Sequence, residues 1–204
     1  FQEYENLQID YLLKTLDFSD FDYFIDIGAN SGLYSMIIAK HYSQIKIKSF
    51  EPISKAIQKF KINMSQNSFI SNVEIFEFGL SNKNSKLLMK SLKKNNYIQT
   101  GGFGVAKKTD FLDNLHTEYA HFKKGDEIFS SKEKNIIFKI DAEGHEKEII
   151  EGLNINLNNN NIFLQIEIFD KNFDVVNSML INKNFRNIHK IESDGKIDYY
   201  YKNY

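Results

Sequence analysis

Short, nearly continuous apolar runs alternate with amphipathic stretches along most of the chain. "YENLQIDYLLKTLDF" places Leu7, Tyr11, Leu12 and Leu16 at helical spacing and predicts an N-terminal helix. "FDYFIDIG" is apolar up to Asp26 and Gly28 and predicts a buried strand, with "GLYSMIIAKHY" as the helix after it. "KIKSFEP" reads as a second strand closed by Pro52, the only proline, and "SKAIQKFKINMSQN" as its helix. "NVEIFEFGL", "NIIFKID" and "NIFLQIEIFD" read as third, fourth and fifth strands. Helices are expected around "HEKEIIEGL" and over "FDVVNSMLINK", while the Asn-rich "NINLNNNN" reads as a loop. The tail "FRNIHKIES-DG-KIDYYYKN" carries a hairpin signal at Asp194 and Gly195.

Strands alternating with helices imply an α/β fold, a Rossmann-like, mostly parallel sheet with helices on both faces. Five parallel strands and a terminal antiparallel hairpin make seven. In such sheets ligands sit beyond the carboxyl ends of the strands, near the point where strand order reverses. One segment breaks the rhythm. Ser81 to Lys134 separates strands three and four, far more than the usual ~2–6 residue connection. "KLLMKSL" and "NYIQTGGFGVAKK" suggest an extra β excursion around Gly101, Gly102 and Gly104. The expected organisation is one domain over 1–204 with an insertion at about 81–134 that walls the substrate side.

Composition narrows the function classes. A formal net charge of -1 gives no basic surplus for nucleic acid, so none is expected as a partner. The absence of Cys excludes disulfides, thiolate metal sites and cysteine nucleophiles, and makes a cytoplasmic location the default expectation. No apolar run reaches the ~20 residues of a membrane helix. The edge of the β excursion leaves room for a homodimer. Lys93, Lys94, Lys107 and Lys108 form a basic run in the insertion that can meet an anionic acceptor or be a solvated face.

The strand ends carry the chemistry. "DIGANSG", Asp26 to Gly32, is strand, glycine turn, helix, but a dinucleotide fingerprint wants glycine where Asn30 stands. S-adenosylmethionine lacks the pyrophosphate that needs that glycine. Asp26 suits its ammonium, directly or through water, and the turn amides of Gly28 to Gly32 suit its carboxylate. Glu51, 25 positions after Asp26, ends strand two where an acid takes a ribose diol, and Pro52 directs the chain toward the adenine edge. Gly79 and Leu80 follow strand three, where an adenine would stack. "KIDAEGHE" then packs Asp141, Glu143, His145 and Glu146 into six residues after an apolar strand. Acids there also favour a helix macrodipole, which accounts for Glu146 and Glu148 better than for Asp141 and His145.

These motifs resemble the FkbM-type methyltransferases. "FIDIGANSGLYS", "FEP", a helix with Asn63 and Asn67, "GLSN", "KIDAEGHEKEIIEGL" and "FLQIEIF" follow in the same order over roughly Phe21 to Asp170, the insertion matching only loosely. The resemblance implies the class I methyltransferase fold, S-adenosylmethionine as cofactor, and O-methylation of a hydroxyl on a sugar, glycan or small metabolite. It implies Asp26, Gly28, Asn30, Gly32, Tyr34 and Glu51 as cofactor-binding residues, and Asp141, Glu143 and His145 as the signature at the reacting end.

An alcohol must lose its proton during transfer. His145 is the preferred base, oriented by Asp141 or Glu143. The alternative is a divalent cation on Asp141 and Glu167 with Glu143 or His145, of magnesium or manganese type. His116 and His121 are rival bases, His41 and His189 structural, and Glu167 is an alternative buried partner for Lys139. A nicotinamide-dependent oxidoreductase, or a binding module that keeps the cofactor fold without catalysis, are the competing functions.

Overall fold

The computed structural model describes residues 5–67, 70–94, 97–98, 100–107, 115–193 and 195–204. A seven-stranded sheet forms the centre. Its parallel strands are β1 (Tyr23–Ile27), β2 (Lys46–Phe50), β3 (Val73–Phe76), β9 (Asn135–Ile140) and β10 (Asn161–Glu167), closed by β11 (Arg186–Ser193) and β12 (Lys196–Lys202). The order is β11-β12-β10-β9-β1-β2-β3, so the strand order reverses between β1 and β9. The hairpin is antiparallel and adds β12 to β10, as its sequence signal predicts; Asp194, at the turn, lies outside the described residues. The central strands are apolar because both faces are covered. On one face α1 (Asn6–Thr15) and α2 (Leu33–His41) contribute Ile9, Leu12, Tyr34 and Ile38 to a core with Phe24 and Ile137. On the other, α5 (Glu146–Gly152), α6 (Asn154–Asn159) and α7 (Asp170–Ile181) bring Ile149, Ile150, Leu157 and Leu180 against Ile136 and Phe138.

Two expectations are corrected. "NVEIFEFGL" is not one strand. It leaves the central sheet after β3 and continues as β4 (Gly79–Ser81), which pairs in parallel with β8 (Leu115–Lys124) in a second sheet. In that sheet β8 also pairs with β5 (Ser85–Lys94), and the short β6 (Tyr97–Ile98) and β7 (Gly104–Val105) flank β5. The insertion is thus a sheet over the carboxyl edge. It leads through α4 (Gly125–Ile128) into β9, and α3 (Ser54–Ser65) supports it with Ala56 against Met89, Phe103 and Phe122. Secondly, "NINLNNNN" contains a helix, α6, despite its Asn content. Leu157 is buried, and Asn156 is held by the Asp126 carboxylate and the Phe129 carbonyl, so tertiary contacts override weak propensity. Of the insertion's lysines, Lys107 is exposed, while Lys108 and the side chains of Lys93 and Lys94 lie outside the described residues. No helix among the described residues is long and apolar enough to cross a membrane.

Candidate active site at the strand ends

The carboxyl ends of β1, β2, β9 and β10 meet at three adjoining cavities. The first lies under the second sheet, with Glu51, Pro52, Gly79, Leu80, Asp141 and His145 in its wall beside Phe103 and Phe122. The second lies against α2 and α3, between Tyr34, Asn63, Asn67 and Lys139. The third opens toward the hairpin, between Gln8, Tyr34, Glu167, Lys196 and Asp198. Asp141 lines all three, and Gly28 and Asn30 line the first two.

The glycine turn is closed on itself. Gly28 and Ala29 donate to the Phe50 carbonyl, Gly32 donates to Ala29, and the Asn30 amide donates to Glu51 Oε2 at 2.8 Å. This corrects one expectation: those four amides hold the turn together and are not left for a ligand carboxylate. Asn30 sits at φ 49°, a left-handed conformation that Asn adopts readily. Gly32, at φ 84°, begins α2, and a Cβ there would lie 2.1 Å from the Phe60 ring. Asn63 donates to the Ser31 carbonyl and braces the turn, while Asn67, beyond the end of α3, donates to the Asn63 carbonyl.

Asp26 is 1% exposed and lines none of these cavities. Its Oδ2 accepts from Ser35, which also contacts Ser49, and its Oδ1 lies 3.8 Å from Lys139. Asp26 therefore acts beneath the site and not on its surface. Lys139, expected from sequence only as an alternative partner of Glu167, is the buried cation between Asp26 and Asp141. Its ammonium lies 3.6 Å from Asp141 Oδ2 and donates to the Gly28 carbonyl at 3.4 Å. Burial opposes its charge, but Asp141 and Asp26 outweigh that and raise its pKa. Glu167 does not pair with Lys139 as the alternative supposed; it pairs with Lys196 at 2.9 Å.

Glu51 lines the first cavity with Oε1 accepting from Ile53 and Oε2 from Asn30, each oxygen keeping a second lone pair for a diol. Leu80 is buried beside it, and the Gly79 backbone lies against the Phe122 ring. Tyr34 is buried, its hydroxyl accepting from Gln165 at 3.0 Å. Asn30 Oδ1 and Asp141 Oδ1 are buried acceptors with no hydrogen-bond partner among the described residues. Two idle acceptors beside the glycine turn, a diol-shaped carboxylate and an apolar Leu80–Phe122 wall fit the ammonium, ribose and adenine of S-adenosylmethionine.

His145 is placed differently from expectation. Neither Asp141 nor Glu143 orients it. Glu143 at φ 49° and Gly144 at φ 96° swing the chain over before α5. The imidazole therefore faces the second sheet, with Nε2 2.9 Å from Ser81 Oγ, Nδ1 3.6 Å from Glu148 and the ring edge-on to Phe122. Burial lowers its pKa, partly offset by Glu148. The cluster that does form is Asp141, Glu143 and Glu167, one oxygen of each lying within 4.8 Å of the others. The alternative cation set thus loses its imidazole. His116 packs edge-on against Phe103 and His121 is exposed on β8; neither lines a cavity described above. His189 stacks on Tyr11, a packing role, and His41 is exposed at the end of α2.

Three buried carboxyls hold protons unusually well. Burial pushes Glu51 and Glu146 up to about 7, and burial with Asp141 pushes Glu167 up to about 8 against the opposing pull of Lys196. A folded-state pKa above the unfolded one contributes stability that is lost as pH rises through the folded value. The lowered His145 opposes this slope by less than one proton, and only until the unfolded imidazole is itself neutral near pH ~7.5. The melting temperature of the ligand-free protein is therefore expected to fall between pH ~6.5 and ~8.5, and Glu167→Gln to flatten the upper part of that fall. A melting temperature constant or rising across the window would contradict these environments.

A family model described as the Vibrio cholerae RfbT protein matches residues 4–201. Methyltransferase sdnD of Sordaria araneosa is 26% identical over 177 residues, covering 74% of this chain and 67% of that protein. Methyltransferase 1 of Beauveria bassiana is 23% identical over 178 residues, covering 74% of this chain and 66% of its own length. The chain thus spans about two thirds of these fungal relatives. Among solved structures, methyltransferase FkbM from Methylobacillus flagellatus superposes with a TM-score of 0.59 at 15% identity, over 92% of this chain and 45% of that one. An S-adenosylmethionine-dependent O-methyltransferase from Thermotoga maritima gives 0.60 at 12% identity, over 99% and 66%. The structural likenesses carry the fold, that of the class I methyltransferases. With the family match running almost end to end over the glycine turn, Glu51 and the Asp141 loop, the chain belongs to the family of the Vibrio cholerae RfbT protein and is a methyltransferase of the FkbM type.

Proposed function

We propose that the chain transfers a methyl group from S-adenosylmethionine to a hydroxyl oxygen of a sugar, a glycan or a small metabolite. The observation that carries this reading is Asp141, whose unpaired buried oxygen stands where the cofactor cavities meet a polar third cavity walled by Glu167, Lys196 and Asp198. When bound, the cofactor supplies an electrophilic methyl on a sulfonium. Glu51 holds the ribose diol, Leu80 and Phe122 flank the adenine, Asp141 and Asn30 accept from the ammonium, and Lys139 is the cation that faces the α-carboxylate. His145, turned toward Ser81 in the first cavity, belongs to the adenosine end.

The acceptor enters the third cavity. Alignment of its oxygen with the methyl carbon provides much of the acceleration. Glu167 accepts the hydroxyl proton, since its proton affinity is raised whereas that of His145 is lowered. The carboxylates and amides of this cavity suit a polyhydroxylated acceptor better than a flat apolar one.

Thermal melting with S-adenosylmethionine, S-adenosylhomocysteine or NAD tests the cofactor. A ligand at 100 times its dissociation constant adds ~2.7 kcal/mol, a shift of roughly 5–10 °C here. Both sulfur ligands are expected to stabilise and NAD is not; stabilisation by NAD alone would refute the proposal. Labelled methyl transfer to methyl glycosides and to their amino-sugar counterparts tests the acceptor atom, and label recovered on nitrogen would overturn the hydroxyl assignment.

A further inference from the structure

We propose that Lys196 is the fixed cation of the reacting end: it stands between Asp141, Glu143 and Glu167, where a divalent ion would otherwise bind, and holds the acceptor oxygen. The inference rests on the methyl-transfer reading above, and its first test does not depend on that reading.

Three carboxylate oxygens within 4.8 Å of one another repel, and such a set is the usual ligand shell of magnesium or manganese. Here the hairpin provides the counter-charge. Lys196 Nζ lies 2.9 Å from Glu167 Oε1 and 3.3 Å from Glu143 Oε1. Its placement is built in. In the β12–β10 ladder Asp198 is opposite Glu167, and Lys196, two residues before Asp198, leaves the strand on the same face. Asp198 is pinned by Gln165 at 2.8 Å and by Gln8 of α1 at 3.1 Å, which fixes the height of β12 and so the reach of Lys196. Burial opposes the charge on Lys196, but Asp141, Glu143 and Glu167 overcome it, so the side chain remains an ammonium at neutral pH.

An ammonium has three N–H donors, and Glu143 and Glu167 take two. The third is available to an acceptor in the cavity, which Lys196 lines while staying 37% exposed. As the acceptor oxygen forms its bond to the methyl carbon, its proton passes to Glu167 and the carbon–sulfur electron pair leaves with sulfur. Lys196 loses no proton in this step. It keeps the oxygen within reach of the carboxylate and the methyl, as a metal ion would, without an exchangeable ligand.

The test is manganese binding, read by the electron paramagnetic resonance of the free ion, in wild-type, Lys196→Met and Lys196→Gln proteins. Both variants are expected to bind Mn²⁺ at least about tenfold more tightly than wild type, and adding Glu167→Gln should abolish the gain. Wild type binding as tightly as the variants, or no gain in either, would overturn the proposal. A second measurement locates the charge. Removing a cation near the sulfonium should raise affinity for S-adenosylmethionine relative to the neutral S-adenosylhomocysteine by at least about threefold. An unchanged ratio would mean that Lys196 is not at the methyl end. Failure of wild type to bind either sulfur ligand would sink the methyl-transfer reading instead, and the manganese result would still decide the lysine.

Discussion

Glu167→Gln is expected to lower kcat by at least ~100-fold, the usual contribution of a positioned general base, while the dissociation constant for S-adenosylmethionine changes little. Glutamine keeps the shape and one acceptor oxygen, so it can still take the Lys196 hydrogen bond. What it cannot do is receive a proton. The pH profile gives the sharper signature. A base must be ionised to act, and Glu167 is pushed up to about 8 by burial and by Asp141. Activity of the wild type should therefore rise with pH and level off above about 8, the limb belonging to the Glu167–Lys196–Asp141 group as a whole. In Glu167→Gln that limb should vanish along with most of the rate. The companion variant His145→Gln should keep the limb and weaken cofactor binding, because His145 lines the first cavity with its imidazole held by Ser81. Loss of the pH limb in His145→Gln, with Glu167→Gln active, would restore the histidine as the base.

The reason His145 looked catalytic from sequence shows what a sequence conveys and what it leaves out. The strand-end position of Asp141 was legible because an apolar run of strand length has to stop where polar residues begin. The central place of β9, the seven strands and the hairpin followed from periodicity and the βα alternation, since few topologies satisfy both. Direction after the strand was not legible. Glu143 takes a left-handed conformation before Gly144, so side chains that are continuous in sequence and share the wall of the first cavity take different partners, the Asp141 and Glu143 carboxylates meeting Glu167 and the His145 imidazole meeting Ser81. Lys196 was missed because its partners lie 53 and 29 positions away, on Glu143 and Glu167, and no local pattern links a hairpin lysine to two strand ends. The strand β8 was hidden for another reason. In "LHTEYAHFKK" only Ala120 and Phe122 are buried, and they face an inserted sheet and not the main core.

Gly28→Ala is expected to destabilise the protein by about 3 kcal/mol or more, a loss of roughly 6–12 °C in melting temperature, and to abolish cofactor binding. Two effects combine. Gly28 is at φ 78°, where a side chain costs roughly 1–2 kcal/mol. A Cβ there would also lie 1.8 Å from the Asp141 carbonyl oxygen, and a backbone atom cannot rotate aside. The strand ends must separate to admit the methyl, yet the Asp141 amide donates to the Ile27 carbonyl at 3.0 Å and ties those ends together. Relief therefore moves Asp141 away from the turn, and with it the unpaired oxygen on which the ammonium site rests. Gly195→Ala separates the two effects. Gly195 has nearly the same φ, 76°, nothing within 4 Å of the added carbon, and lines none of the three cavities, so it should show the backbone penalty alone and leave cofactor binding intact. If Gly28→Ala proves no worse than Gly195→Ala, then the close approach of turn and strand is not what holds Asp141, and the cofactor end of the site would have to be rebuilt around Glu51 and Asn30.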